Sequence, residues 1–320
     1  MKNTLSASKW LTKEERKTLL QKSNWRGFYE VLFTLASIIA TFALVIYFPH
    51  PLTYIAAWFI MGGRQLACSI IMHDTGHYAL FKSKRLNNVI GRWFGAYPVL
   101  GDLGAYRPYH NIHHVHTGTD EDPDLLLTTG YPARMISMCR KFFRDLSGMT
   151  GIKGQIAFIM MELGILKYNL GKKIEWIDPA ERSPRKMLYN GITNLSGPIF
   201  VNFLIFGMLW MTGHPWLYLL WIISLFTTFQ LFNRIRSIAE HSLVIQSGDP
   251  QTNTRTTYAN PIERLFVAPH YVNYHAEHHL MMGVPPYNLP KMHQLLLKKG
   301  FYEKGISEKG YLSLIRKAII

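Results

Sequence analysis

The chemistry legible in this 320-residue chain is carried by histidine, because three short words each place several imidazoles within reach of one point. His73 and His77 stand at i and i+4 in His73-Asp74-Thr75-Gly76-His77. On a helix such residues share a face about 6 Å apart, so both rings reach one metal ion. His110, His113 and His114, at i, i+3 and i+4, cover an arc of about 100°, which serves one metal or splits its ligands between two adjacent ones. His275, His278 and His279 repeat that spacing. A single such word is equally well explained by structural histidines; two HxxHH words with one HxxxH are not. Cys68 and Cys139 form no CxxC pair, so any metal chemistry rests on imidazole.

His241 closes the segment Arg236-Ser237-Ile238-Ala239-Glu240-His241, about two turns beyond an apolar run, the depth at which His73 and His77 follow another. With it the expected ligands number nine: His73, His77, His110, His113, His114, His241, His275, His278 and His279. One metal cannot use nine nitrogens, whereas two metals with four or five each can. Imidazole suits iron, zinc, copper or nickel, and the spacing leaves the choice open. Five histidines are expected outside the site: His116 and His270 as neighbours of the boxes, His293 as support, and His50 and His214 in loops a membrane thickness away.

The elements that position these words are read from the apolar runs. Apolar residues make up 48% of the chain and charged residues only 17%, below the roughly 25% of a soluble domain. Val31 to Phe48 carries no charge and is close to the length of a bilayer-crossing helix. Leu52 to Met72 is interrupted only by Arg64 and the Gly62-Gly63 pair, and Leu195 to Thr212 and Pro215 to Phe232 complete four spans in two hairpins. The formal charge of +15 maps the membrane: seven basic residues precede residue 28, sixteen lie between 78 and 190, eleven follow 232, and the last is Arg64. The short loops at Pro49 to Pro51 and Gly213 to Pro215 hold none. The positive-inside rule then puts both termini and all three boxes in the cytoplasm. A nucleic-acid partner is not expected, since no basic helix or RNA-binding aromatic motif accompanies the charge.

The expected architecture is therefore an all-α integral membrane protein with a single domain over 1–320. It comprises a cytosolic segment (1–27) without signal-peptide features, a first hairpin (31–72), a cytosolic or interfacial region (73–194), a second hairpin (195–232) and a cytosolic remainder (233–320). Gly154 to Leu166 reads as an interfacial helix. Trp93, Phe94, Gly95 and Tyr97 offer a stripe for an apolar channel or for plain core, and Lys82, Lys84 and Arg85 a solvated basic face.

As a set, the words carry a resemblance. HDTGH, then HNIHH running on into Thr117 and Asp122-Pro123-Asp124, then Asn273-Tyr274 before HAEHH and Val284-Pro285 after it, resemble the histidine boxes of the membrane fatty acid desaturase superfamily. Arg236 to His241 resembles that family's extra box. The resemblance implies four membrane helices under a cytosolic helical cap carrying the boxes, two non-haem iron ions, molecular oxygen and an external electron donor. It implies insertion of a C=C bond into a lipid acyl chain. Carboxylates and one amide would hold the imidazole tautomers, the candidates being Asp74, Asp122, Asp124, Glu240, Asn273 and Glu277; Asp122-Pro123-Asp124 equally suits a cap or turn.

Two departures place the chain nearer the acyl-lipid and bacterial branches. Its first box has three intervening residues where stearoyl-type acyl-CoA desaturases have four, and Ser237 stands where those have Asn. No HPGG haem-binding word of a fused cytochrome b5 is present, so the expected donor is a separate ferredoxin or cytochrome b5-type protein. A hydroxylase or ketolase of the same superfamily, acting on a lipid or carotenoid, shares the histidine pattern. A non-catalytic membrane metal carrier would instead place its ligands near the bilayer midplane.

Overall fold

The computed structural model describes residues 7–171 and 174–320. Apolar composition and strong caps set the long helices. Ser23 accepts from the Arg26 amide and starts α1 (Asn24–Tyr47); His50 and Pro51 start α2 (Pro51–Gly76). Beyond a one-turn π-helix at Gly91–Ala96, the two carboxylate oxygens of Asp102 accept from the Gly104 and Ala105 amides and start α3 (Leu103–His116). Then come α4 (Met149–Glu162), α5 (Pro184–Met211), α6 (Leu217–Phe226), α7 (Thr228–His241) and α8 (His275–Leu280). The interfacial helix expected over 154–166 starts earlier and ends earlier, as α4.

Among the described residues three helices, α1, α2 and α5, are long and apolar enough to cross a membrane. The fourth expected run is not one helix. At Thr227 the backbone turns to φ −120°, ψ −87°, dividing the run into α6 and α7. Two hydroxyls explain the break. Thr227 accepts the Trp58 indole N–H at 2.7 Å and donates to the Ile223 carbonyl, while Thr228 donates to the Trp58 carbonyl at 2.8 Å. Such side-chain bonds compete with the helical ladder. Gly62 makes the docking possible: a Cβ there would lie 2.2 Å from Thr228 Oγ1 and 2.7 Å from the Phe229 amide nitrogen.

Polar groups within the helices are partnered by neighbouring segments, as an apolar surrounding demands. Arg64 is buried and donates to the Leu265 carbonyl, which accounts for a cation inside α2. Gln65 donates to Trp221 O at 2.7 Å, and Asn202 gathers Trp221, Tyr218 and the Tyr97 carbonyl. Around them Ile38, Phe42, Met61, Leu209 and Trp221 form the apolar core between the helices. A second core, containing Leu66, Ile70, Phe232, Ile238, Val272 and Leu314, joins α2 and α7 to the C-terminal segments.

The all-α expectation needs one amendment. β1 (Arg255–Thr257) and β2 (Ile306–Glu308) form a parallel pair, Arg255 opposite Ile306 and Thr257 opposite Glu308. The pair anchors the chain ahead of α8, because Thr257 and Asn273 exchange hydrogen bonds of 3.0 Å in both directions. The N-terminal segment, expected only as a polar cytosolic stretch, buries Leu11 and Leu19 against Ala276, Leu280 and Met292, covering α8.

Gly62→Ala is expected to destabilise the fold by about 1–3 kcal/mol, measured as a lowered denaturation midpoint in detergent. Thr228→Ala in the same chain should restore only part of the loss, since the Phe229 backbone stays in the way.

Candidate metal centre

The nine expected imidazoles arrive from four elements. His73 lies in the last turn of α2 and His77 just past its end. Two glycines of the π-helical turn press on this end: a Cβ at Gly91 would meet Thr75 Oγ1 at 2.1 Å, and one at Gly95 the Met72 amide nitrogen at 2.7 Å. His110, His113 and His114 come from α3, His241 is the last residue of α7, and His275, His278 and His279 make up half of α8. Among the described residues these side chains form two groups whose ligand atoms lie within 4.8 Å of one another: His73, His77, His110, His114 and His278, and His113, His241, His275 and His279.

Each HxxHH word is divided between the groups. The i, i+4 pair His110 and His114 enters the first and His113 the second; the i, i+4 pair His275 and His279 enters the second and His278 the first. In both groups nitrogen faces nitrogen. His114 Nε2 is 3.1 Å from both His110 Nε2 and His278 Nε2, and His241 Nε2 is 3.2 Å from His113 Nε2 and 2.8 Å from His275 Nε2.

Carboxylates decide which nitrogen of several rings carries the proton. His73 Nδ1–H donates to Asp74 and His113 Nδ1–H to Asp122, each at 2.8 Å, which turns both Nε2 lone pairs inward. Asp122 also accepts the Asp124 amide at 2.9 Å, so this aspartate sets the turn and orients the imidazole at once. Asp124 lies 3.7 Å from His113 Nδ1, accepts the Tyr109 hydroxyl and forms a smaller potential ligand group with His110 and His113. Glu240 stands 3.5 Å from His275 Nδ1.

Two of the expected supporting residues are placed otherwise. Glu277, fully buried, takes its hydrogen bonds from His293 Nδ1 and Thr256 Oγ1, both at 2.5 Å, and from the Tyr302 hydroxyl, because the side of α8 it occupies faces those groups. Asn273 binds β1 rather than an imidazole. His293, expected as support, holds Glu277.

The remaining histidines are engaged elsewhere. His270 pairs with Glu30 at 2.7 Å and Thr34 at 3.0 Å on α1, His116 meets Glu121, His50 caps α2, and His214 bonds the Thr212 carbonyl. The Glu30 link had no sequence signal, because Glu30 precedes the uncharged run that marks the span. The Tyr106 ring stacks on His110 at 5.0 Å, a contact equally invisible in spacing.

A cavity of about 420 Å³ opens beside both groups and is lined by His73, His110, His113, His241 and His275. Its apolar wall comes from Phe158, Leu170, Leu225, Phe226 and Phe229. The stripe Trp93, Phe94, Gly95 and Tyr97 is not part of that wall; Trp93 packs on Tyr97 and Phe200, and Gly95 on Met72.

Burial decides the protonation of the centre. It holds His110, His114, His241, His275, His278 and His279 well below the ordinary imidazole range, and neighbouring rings add to the effect. For His113 burial acts in the same sense, but the Asp122 hydrogen bond and the Asp124 charge outweigh it and raise the value. Burial pushes the Glu240 carboxyl up to about 7. Neutral imidazoles with inward lone pairs and no donor opposite them are suited to a cation. His77 Nε2 and His73 Nε2, buried without a hydrogen-bond partner, are the direct sign of it.

The fatty acid desaturase family model matches residues 49–309. The dihydrorhizobitoxine desaturase of Bradyrhizobium elkanii is 27% identical over 264 residues, covering 81% of this chain and 72% of its own. An sn-1 oleoyl-lipid 12-desaturase of Synechocystis sp. is 25% identical over 297 residues, 87% of this chain and 77% of its own. The sn-1 acyl-lipid omega-3 desaturase (ferredoxin) of the same organism is 36% identical over 83 residues, 25% of this chain and 23% of its own.

Two outcomes follow from the tautomers and the burial. Asp122→Asn should weaken metal binding by about 10–100-fold, read by competition with a chromophoric chelator. For the metal-free protein, six imidazoles bind protons less readily folded than unfolded. Its stability should therefore be full above about pH 6.5 and fall as pH drops below that value towards the depressed folded values. His113 and Glu240, whose values are raised on folding, act in the opposite sense and offset part of that loss. Thermal midpoints across pH 8 to 5, on the order of the range in which imidazole titrates, check the sign.

Proposed function

The chain belongs to the fatty acid desaturase family, and from that premise we propose that it is a membrane-bound, oxygen-dependent di-iron desaturase that introduces a C=C bond into an acyl chain. The observation that carries the reading is the division of nine imidazoles, eight of them buried and His77 half-buried, into groups of five and four, a ligand set for two metals. Two bound irons would supply the activation of molecular oxygen needed to take hydrogen from an unactivated methylene. The overall balance is R–CH2–CH2–R′ + O2 + 2 e⁻ + 2 H⁺ → R–CH=CH–R′ + 2 H2O. The two electrons come from a separate donor of the ferredoxin or cytochrome b5 type, in keeping with the ferredoxin in one relative's name.

The chain's own residues do the rest. His73, His77, His110, His114 and His278 would hold one iron, and His113, His241, His275 and His279 the other. Asp74 and Asp122 keep the Nδ1 protons of His73 and His113 outward, and Glu240 stands ready for His275. Burial keeps most of the rings neutral and hence able to ligate. The cavity's apolar wall receives hydrocarbon beside the imidazoles and excludes water from it.

In the membrane, α1 with α2 and α5 with the broken α6–α7 pair make two hairpins of four crossings. The histidines and both termini lie on the cytoplasmic side that the basic residues mark, under a cap of the remaining helices.

Metal analysis of purified protein should find two irons per chain in active preparations, and stoichiometric zinc instead would sink the assignment. His110→Ala and His278→Ala should abolish turnover while leaving the protein in the membrane. Mass spectrometry of total lipids from an expressing host should show a new double bond; a hydroxyl or keto product would identify an oxygen-inserting member of the family.

A further inference from the structure

The cavity beside the imidazoles contains a cation with one buried N–H that no group of the protein satisfies. Of the two arginines on its wall, Arg234 is committed to the buried Asp145 carboxylate through Nε–H and a second N–H at 2.8 Å. Arg236 comes no closer than 3.4 Å to Glu240, and its Nε–H is buried with no hydrogen-bond partner. Of the carboxylates that share the wall, Asp102 caps α3 and Asp124 accepts the Tyr109 hydroxyl, while Glu240 lies between Arg236 at 3.4 Å and His275 Nδ1 at 3.5 Å and leaves the Arg236 Nε–H without a partner.

An arginine is always charged and presents its N–H groups in a planar fork that matches the two oxygens of a carboxylate. An Nε–H buried without a partner is unfavourable, and a ligand that fills this part of the fork removes the penalty. Arg236 stands close enough for its charge to bear on His241, His275 and His278. The same cavity offers Phe158, Leu225, Phe226 and Phe229 to a hydrocarbon.

We propose that Arg236 anchors a substrate carboxylate, so that the cavity takes an amphiphile with a free acid group, its acid on the guanidinium and its chain along the aromatic wall. The proposal rests on the desaturase reading and narrows its substrate. Steps of 3.4 Å from Arg236 to Glu240 and 3.5 Å from Glu240 to His275 keep the anchor next to the four-imidazole group. The C–H bonds presented to the centre are therefore those towards the acid end of the chain. A neutral ester of the same chain leaves the Arg236 Nε–H unpartnered and binds more weakly.

Isothermal titration calorimetry on the full chain as purified in detergent, without oxygen or reductant, tests this with octanoate, methyl octanoate and octyl phosphate as probes. Octanoate should bind about tenfold or more tightly than its methyl ester and more tightly than octyl phosphate. Arg236→Gln should remove the preference for the acid, and Arg236→Lys should keep part of it. Equal binding of acid and ester by the unmodified protein, a preference that survives in Arg236→Gln, or octyl phosphate matching octanoate would overturn the proposal. Metal content and thermal midpoint of each variant separate loss of the anchor from loss of the fold; should Arg236→Gln not fold, the acid–ester comparison in the unmodified protein and Arg236→Lys decides. Because no turnover is needed, an Arg236-dependent preference in a protein that makes no double bond would leave the anchor standing and remove the desaturase reading.

Discussion

The structure is organised around a convergence that is unfavourable by itself: nine imidazoles brought together, eight of them buried. Neutral nitrogens facing one another at 2.8–3.2 Å gain nothing from the contact unless a proton or a metal ion lies between them. Protonation is opposed by burial at most of these rings. The scaffold must therefore hold the rings in place before a cation is bound, and several otherwise odd features serve that end. Asp74 and Asp122 fix ring orientation from behind. Gly91 and Gly95 let the π-helical turn press against the end of α2 where His73 and His77 sit. Glu277, His293, Thr256 and Tyr302 form a buried network that holds the outer side of α8 without touching the centre.

The break at Thr227 belongs to the same problem. An uninterrupted helix from residue 217 would carry His241 along the direction of α6. The restart at Thr228, docked on Gly62 and Trp58, gives α7 a direction of its own and delivers Glu240 and His241 beside His275. Arg64, the cation that sat awkwardly in an apolar run, is tied to the same crossing, because it binds the backbone at Leu265 where the chain returns to α2. The Glu30–His270 pair makes a comparable tie between α1 and the turn that leads into α8. The long apolar helices and the histidine-bearing segments are thus joined by a few polar contacts, each costly to leave unmade where it is buried.

The cavity shows a similar division of labour. Its imidazole side is built from residues whose spacing announces them, whereas its aromatic wall comes from α4, α6 and α7, elements far apart in the chain. The aromatic stripe that sequence proximity offered, Trp93 to Tyr97, packs against helices instead. A wall assembled from distant segments leaves no local pattern to read.

The sequence by itself determined the inventory. The nine imidazoles, the family, and three of the apolar helices follow from residue type, spacing and run length, which are properties of neighbouring residues. Asp74 and Asp122 were legible for the same reason, lying one residue and a short turn from the rings they hold. The tertiary structure decided how the boxes divide, sending His113 and His278 away from their i, i+4 companions, because that choice depends on how α3 and α8 are rotated against each other. It also decided that the fourth apolar run breaks, since the hydroxyls that break it bond to Trp58 across the fold, and it assigned Glu277 to His293 rather than to the centre. Helical periodicity states which residues share a face; only packing states what that face meets.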